Sequence, residues 1–260
     1  MVFLFTVTSC KHYYYVPTVQ NVPLFKEKNE YRATVAVGGG DETSTTDIQS
    51  AYSVTDKFAV MANFMTAKGG DKSSNNWGEG KYFDAALGYF KPLDMHGVFE
   101  IYGGVGSSNQ HHQYQRTSSS WNGGSTTYNS GTADLSFTKL FLQPSLGLTF
   151  NGFDIALTSG ISQLNFHKIN NQIDTIDIEY FVVDTISKNR TSFLFEPSLT
   201  IRGGWKYVKL QIQLLSSKNL SRANLKFNDS KISIGLTFAF ADRFRRKTIS
   251  KTVTGTEDKN

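Results

Sequence analysis

The sequence predicts an all-β protein, an antiparallel up-and-down transmembrane β-barrel of about ten strands, from three observations. The first is the stretch Lys231–Phe240, KISIGLTFAF. Ile232, Ile234, Leu236, Phe238 and Phe240 fall on one face, and Ser233, Gly235, Thr237 and Ala239 on the other. Only a strand has a period of two, and ten residues is the length that crosses a bilayer as a tilted strand. The second is that this pattern recurs along most of the chain. The third is that the segments between the recurrences alternate between short turns and long polar stretches, as loops and turns do in bacterial outer-membrane barrels.

Taken in order, strand one (about 31–39) sets Tyr31, Ala33, Val35 and Val37 against Arg32, Thr34, Ala36 and Gly38. Strand two (about 45–54) sets Ile48, Tyr52 and Val54 against Asp47, Gln49, Ala51 and Ser53. Strand three (about 57–66) sets Phe58, Val60, Ala62 and Phe64 against Lys57, Ala59, Met61 and Asn63. Strands four and five (about 81–90 and 97–106) turn Phe83, Leu87, Tyr89, Phe99, Ile101 and Val105 outward. Strands six to nine (about 134–150, 153–166, 190–202 and 206–216) are cleaner, with Leu140, Leu142, Leu146, Leu157, Phe193, Leu199, Leu210 and Ile212 on the apolar face. The connections after the odd strands are expected to be loops, at 40–44, 67–80, 107–133, 167–189 and 217–228. Those after the even strands are tight, at 55–56, 91–96, 151–152 and 203–205. Tyr31, Tyr52, Phe58, Tyr89, Phe99, Phe150, Phe153, Tyr207 and Phe240 all map to strand ends on the short-turn side, where rings form a girdle at headgroup level.

Composition agrees. Thirteen per cent aromatic residues, 22 glycines and only five prolines suit many strands and turns. No run of about 18 apolar residues offers a transmembrane helix, so a spanning chain of this kind has to be a closed barrel. The net charge of +5 is spread along the sequence and gives no nucleic-acid footprint. A single cysteine excludes a disulfide within the chain.

That cysteine, Cys10, follows the apolar run 1–9, which reads as the remnant of a secretory leader. Val7-Thr8-Ser9-Cys10 resembles a bacterial lipobox, which implies lipidation of Cys10. Residues 10–30 then read as a lipidated periplasmic tether, kept extended by Pro17 and Pro23, and 31–240 as the barrel. The basic and polar tail 241–260 is expected in the periplasm, with both termini on that side. VTSC, the QNVPLF segment, YSVTDKFAV and the terminal GLTFAF together resemble the outer-membrane β-barrel lipoproteins of Bacteroidota. The resemblance implies an outer-membrane location with lipids as partners, and no reaction.

The expected chemistry is structural. Arg32, Asp47, Lys57, Asp84, Glu100, Lys139, Gln143, Asp154, Glu196, Arg202 and Lys209 fall on the inward phase. In a barrel barely wider than one filled by its own side chains, opposite charges are expected to pair as a lumen plug. The leading expectation is therefore a non-enzymatic structural, interaction or accessory subunit of an envelope complex, without cofactor or metal. A narrow small-solute channel is one alternative. The other is a rim-site hydrolase or lipid-modifying enzyme built from His111, His112, Ser118, Ser119, Ser120, Asp174 and Asp177. Asp174-Thr175-Ile176 and Asp184-Thr185-Ile186 resemble O-glycosylation sites of exported Bacteroidota proteins, which marks Thr175 and Thr185.

Overall fold

The computed structural model describes residues 12–119, 125–221 and 225–241. Its strands are β1 (Tyr31–Gly40), β2 (Thr43–Ser53), β3 (Phe58–Asp71), β4 (Asn76–Pro92), β5 (Gly97–Ser119), β6 (Ser125–Thr149), β7 (Phe153–Ile173), β8 (Thr191–Gly204), β9 (Val208–Ser216), the two-residue β10 (Lys218–Asn219) and β11 (Ser230–Phe240). One helix, α1 (Ile178–Lys188), lies between β7 and β8. Sequence neighbours pair antiparallel, β9 bonds both β8 and β11, and β11 returns to β1 with Tyr31 opposite Phe240. β10 extends the β9 position along β8. The sheet is thus a closed ten-strand barrel, in which no edge is left unpaired.

The expected in/out register holds on every strand. Leu210 and Leu236, cross-strand partners, are about half exposed, whereas Lys209, Gln211, Ser233 and Thr237 are buried. Here exposure means facing away from the barrel, so the continuous apolar face is the outer one, and the inward face mixes polar side chains with buried apolar clusters. The predicted rings meet at the short-turn end: Tyr31 stacks on Phe240 at 6.4 Å between centroids, and Phe58 meets Tyr89 edge-on at 5.9 Å.

Three expectations give way. The stretches 67–80 and 107–133 are largely ladder and not loop. β3 and β4 stay paired as far as Asp71 and Asn76, and β5 and β6 as far as Ser119 and Ser125. Alternation fades there because a hairpin rising above an apolar layer is wet on more than one face, while its backbone pairing does not depend on side-chain polarity. Within 167–189 lies α1, whose N-cap is Asp177, with its side chain accepting from the Glu179 amide.

The largest difference concerns residues 12–30, expected to hang free on the short-turn side. They run through the lumen instead. Tyr14, Tyr15, Val22, Leu24 and Phe25 are at most 1% exposed. His12 reaches Asn76 in the tip of the β3–β4 hairpin, while Glu30 bonds Ser53 beside the β2–β3 turn. The segment therefore crosses the whole barrel. Ten strands place residues 31 and 240 at the same end, and this extra crossing places His12 at the opposite one. Residues 1–11, including Cys10, and 242–260 lie outside the described residues.

The outward register predicts a depth-dependent penalty. Leu236→Arg, near the middle of the apolar band, is expected to cost about 2–4 kcal/mol of stability in lipid, and Trp205→Arg, in the exposed β8–β9 turn, about 0–1. Equal midpoints for the two in urea titrations of the lipid-embedded protein would contradict the register.

Candidate functional site: the filled lumen

An extended chain crossing a lumen carries main-chain N–H and C=O groups that are cut off from bulk water and need partners. The wall supplies them from inward side chains. The Val19 amide donates to Asp47 Oδ1 at 3.1 Å, and its carbonyl accepts from Gln49 Nε2 at 2.5 Å. Gln213 holds Gln20 from both sides, its Oε1 accepting from the Gln20 amide at 2.7 Å and its Nε2 donating to the Gln20 carbonyl at 2.9 Å. Gln143 Nε2 donates to the Asn21 carbonyl at 2.7 Å, Lys231 Nζ to the Pro17 carbonyl at 3.1 Å, and the Phe25 amide to Glu100 Oε1 at 2.9 Å. β2, β5, β6, β9 and β11 all take part. Both side-chain ends of Gln20 are satisfied too, by the Glu196 carbonyl and the Ser198 hydroxyl.

Charges lie around this strap in four groups, each centred on one acid. Near the short turns Asp154 receives Lys209 Nζ at 2.6 Å, Arg32 Nη1 at 3.2 Å and, more loosely, Arg202 Nη1 at 3.7 Å. The Arg202 Nε also donates to Gln211 Oε1 at 2.7 Å. In the middle, Glu196 accepts from Lys139 Nζ at 2.8 Å, the Tyr15 hydroxyl at 2.6 Å and the Ser162 hydroxyl at 2.9 Å. Asp47 accepts from Lys231 Nζ at 2.9 Å. Asp84 accepts from Asn63 Nδ2 at 2.5 Å, and Asn63 in turn takes the Asn21 amide group at 2.8 Å. Every acid but one meets a cation or a main-chain donor within the lumen, and Asp84 meets an amide.

The structure thus brings Arg32, Asp47, Asp84, Glu100, Glu196, Arg202 and Lys209 to the interior as the alternation predicts. Lys57 does not belong with them. β3 begins one residue later, at Phe58, and Lys57 is exposed in the β2–β3 turn, so strand phase does not govern it. Lys231 is an interior cation that the sequence reading left out, although it shares the phase of Ser233 and Gly235. The strap residues were missed entirely. A signal existed in QNVPLF, where polar residues that pair in the interior adjoin Val22, Leu24 and Phe25, which are buried in two apolar clusters.

At the loop end the strap is clamped from several directions. The Tyr13 hydroxyl donates to Asp41 Oδ2 in the β1–β2 turn at 2.6 Å. The Tyr14 hydroxyl bonds Tyr114 at 2.9 Å and donates to Glu179 Oε2 of α1 at 2.8 Å, and Glu179 also takes Lys226 at 2.5 Å. The Tyr14 amide donates to the Lys226 carbonyl and the Asn228 amide to the Tyr15 carbonyl, both at 2.9 Å, so the segment pairs with the chain leading into β11. His12 Nε2 lies 2.6 Å from Asn76 Oδ1, and its Nδ1 lies 3.4 Å from His112 Nδ1. Burial pushes the His12 pKa below its ordinary 6.5, against a smaller opposing effect of the Asn76 bond.

The residues weighed for rim catalysis do not converge. His111 and His112 are consecutive on β5 and so face opposite ways. His111 pairs outward with Asp134 at 2.7 Å and stands over Trp77 at 5.4 Å, while His112 is buried against His12. Asp177 caps α1 and Asp174 Oδ1 accepts from the Ile176 amide at 3.1 Å. The side chains of Ser118 and Ser119, and all of Ser120, lie outside the described residues. Thr175 is exposed ahead of α1, and the Thr185 hydroxyl donates to the Phe181 carbonyl at 2.7 Å within the helix. Among the described residues no three His, Cys, Asp or Glu side chains cluster as a metal site.

No known protein family and no curated protein matches the chain. Solved structures with a similar fold are outer-membrane barrels. They include the N-terminal β-barrel domain of Pseudomonas aeruginosa OprF (8% identity, TM-score 0.34, covering 82% of this chain and 99% of that one). An outer membrane channel from Pseudomonas putida F1 has 11% identity and a TM-score of 0.44, over 85% of this chain and 100% of that one. LpxR from Salmonella typhimurium has 10% identity and a TM-score of 0.35, over 80% and 99%. At such identities the likeness extends to the fold alone.

Two predictions follow from the charges and the clamp. Asp154→Asn removes the acid shared by three cations and is expected to cost about 3–5 kcal/mol. Asp84→Asn, which loses only an amide partner, is expected to cost clearly less, and denaturation midpoints that reverse this order would contradict the pairing. Because His12 is held neutral, the unfolded chain binds its proton more readily, and stability present above about pH 6.5 is lost as pH falls below it. His12→Asn, which cannot titrate, should show a smaller drop in melting temperature than wild type between pH 7.5 and 5.5. Identical drops would show that His12 is not the group responsible.

Proposed function

We propose that the protein is a closed outer-membrane barrel lipoprotein that works without catalysis, as a structural or interaction subunit of the envelope whose partners meet its loop end. The observation that carries this reading is the buried strap, since a lumen filled by residues 14–25 and by paired charges offers no path for solutes. An outer apolar band with an aromatic girdle at the short-turn end favours a bilayer setting. Long hairpins and α1 at the other end favour that end as the outside. Lipidation at Cys10, from the VTSC motif, adds an anchor.

The opposite facing of His111 and His112, the capping of α1 by Asp177 and the bond of Asp174 to the Ile176 amide favour the non-enzymatic reading. In planar bilayers the wild-type protein is expected to show no steady conductance. The same chain without residues 12–24, refolded in detergent, should open steady channels. Large steady currents from the intact protein would replace this reading with that of a small-solute channel.

A further inference from the structure

We infer that the chain enters its own barrel from outside the cell, so that the part of the protein preceding residue 12 is displayed at the cell surface and not in the periplasm. The inference rests on the outer-membrane orientation proposed above and adds to it a sidedness that the even strand count would not give. Two independent sets of contacts fix the direction of the strap. Its first residues bond to loop-end elements: Asn76 and Asp41 in hairpin tips, Glu179 on α1, and the Lys226–Asn228 stretch before β11. Its last residues bond to turn-end elements. The Asn29 amide donates to the Ser53 carbonyl, the Lys28 amide to Asp56, and Lys26 Nζ to the Met95 carbonyl.

Between them the fourteen residues from His12 to Phe25 span up to about 46–50 Å if extended. That is enough to pass a bilayer of about 40–45 Å including headgroups. The middle of the strap is bonded to wall strands on several sides, so it cannot reverse direction inside the lumen. The C-terminal end of β11 lies at the turn end beside Tyr31. The two ends of the described chain therefore belong to opposite sides of the membrane. An acyl group on Cys10 would in consequence join the outer leaflet side of the barrel, and the wall would have to close around a strap already laid through it.

The test is whole-cell labelling with a membrane-impermeant maleimide, in a Cys10→Ser background that leaves one introduced cysteine per protein. Tyr13→Cys reports the strap entry, Ser73→Cys the β3–β4 tip, and Asp56→Cys the β2–β3 turn. Tyr13→Cys is expected to label on intact cells as Ser73→Cys does, and Asp56→Cys only after the outer membrane is permeabilised. Labelling of Ser73→Cys but not Tyr13→Cys on intact cells would overturn the inference and leave the orientation standing. Labelling of Asp56→Cys alone would overturn the orientation and the inference with it. An epitope inserted ahead of Lys11, probed by antibody on intact cells, serves if Tyr13→Cys fails to fold, with surface staining expected and staining only after permeabilisation contradicting the inference.

Discussion

The rest of the structure depends on one constraint: a main chain drawn through a narrow lumen leaves polar groups that water cannot reach, and the wall has to satisfy them. Each unsatisfied group would cost on the order of 1–3 kcal/mol. The interior accordingly carries side chains that offer both a donor and an acceptor. Gln213 serves the amide and the carbonyl of one residue, and Gln49 and Gln143 each reach a carbonyl. Glutamines on barrel strands would be idle in an empty lumen and poorly suited to a purely ionic plug. Here they hold a peptide backbone, in the manner of an edge strand reading a partner but with side chains in place of ladder groups.

The same constraint accounts for the placement of the charges. Lys231 and Asp47 pair with each other while touching the strap at Pro17 and Val19, and Glu100 spends one oxygen on the Phe25 amide. Glu196, Lys139 and Tyr15 form one network in which the strap donates a hydroxyl. Strap and wall thus supply many of each other's hydrogen bonds. Removing either leaves buried polar groups that the other was satisfying, which couples the stability of the barrel to the presence of its filling.

Much of this was legible in the sequence, and the rest was hidden for physical reasons. Strand phase was readable because a bilayer-facing wall has one wholly apolar side, so KISIGLTFAF and VKLQIQLL fix their own register. Lumen membership of Arg32, Asp84 and Lys209 follows from that phase. It fails at Lys57, where the strand has not yet begun. The height of β5, β6 and β7 was not readable, since above the apolar band nothing forces alternation. The strap was the least readable part, because a segment that bonds through its backbone to five strands needs no period of its own. Residues such as Gln20 and Asn21 look like a linker until their partners Gln213 and Asn63 are in view.

The most direct measurement of the central claim is hydrogen exchange of the strap amides in the detergent-solubilised or lipid-embedded protein, read by mass spectrometry on peptides covering residues 17–26. The account predicts that the amides of Val19, Gln20 and Phe25 exchange as slowly as those of the wall strands, because they are bonded to Asp47, Gln213 and Glu100 and open only with the barrel. Exchange within seconds, as in an unstructured tether, would contradict it.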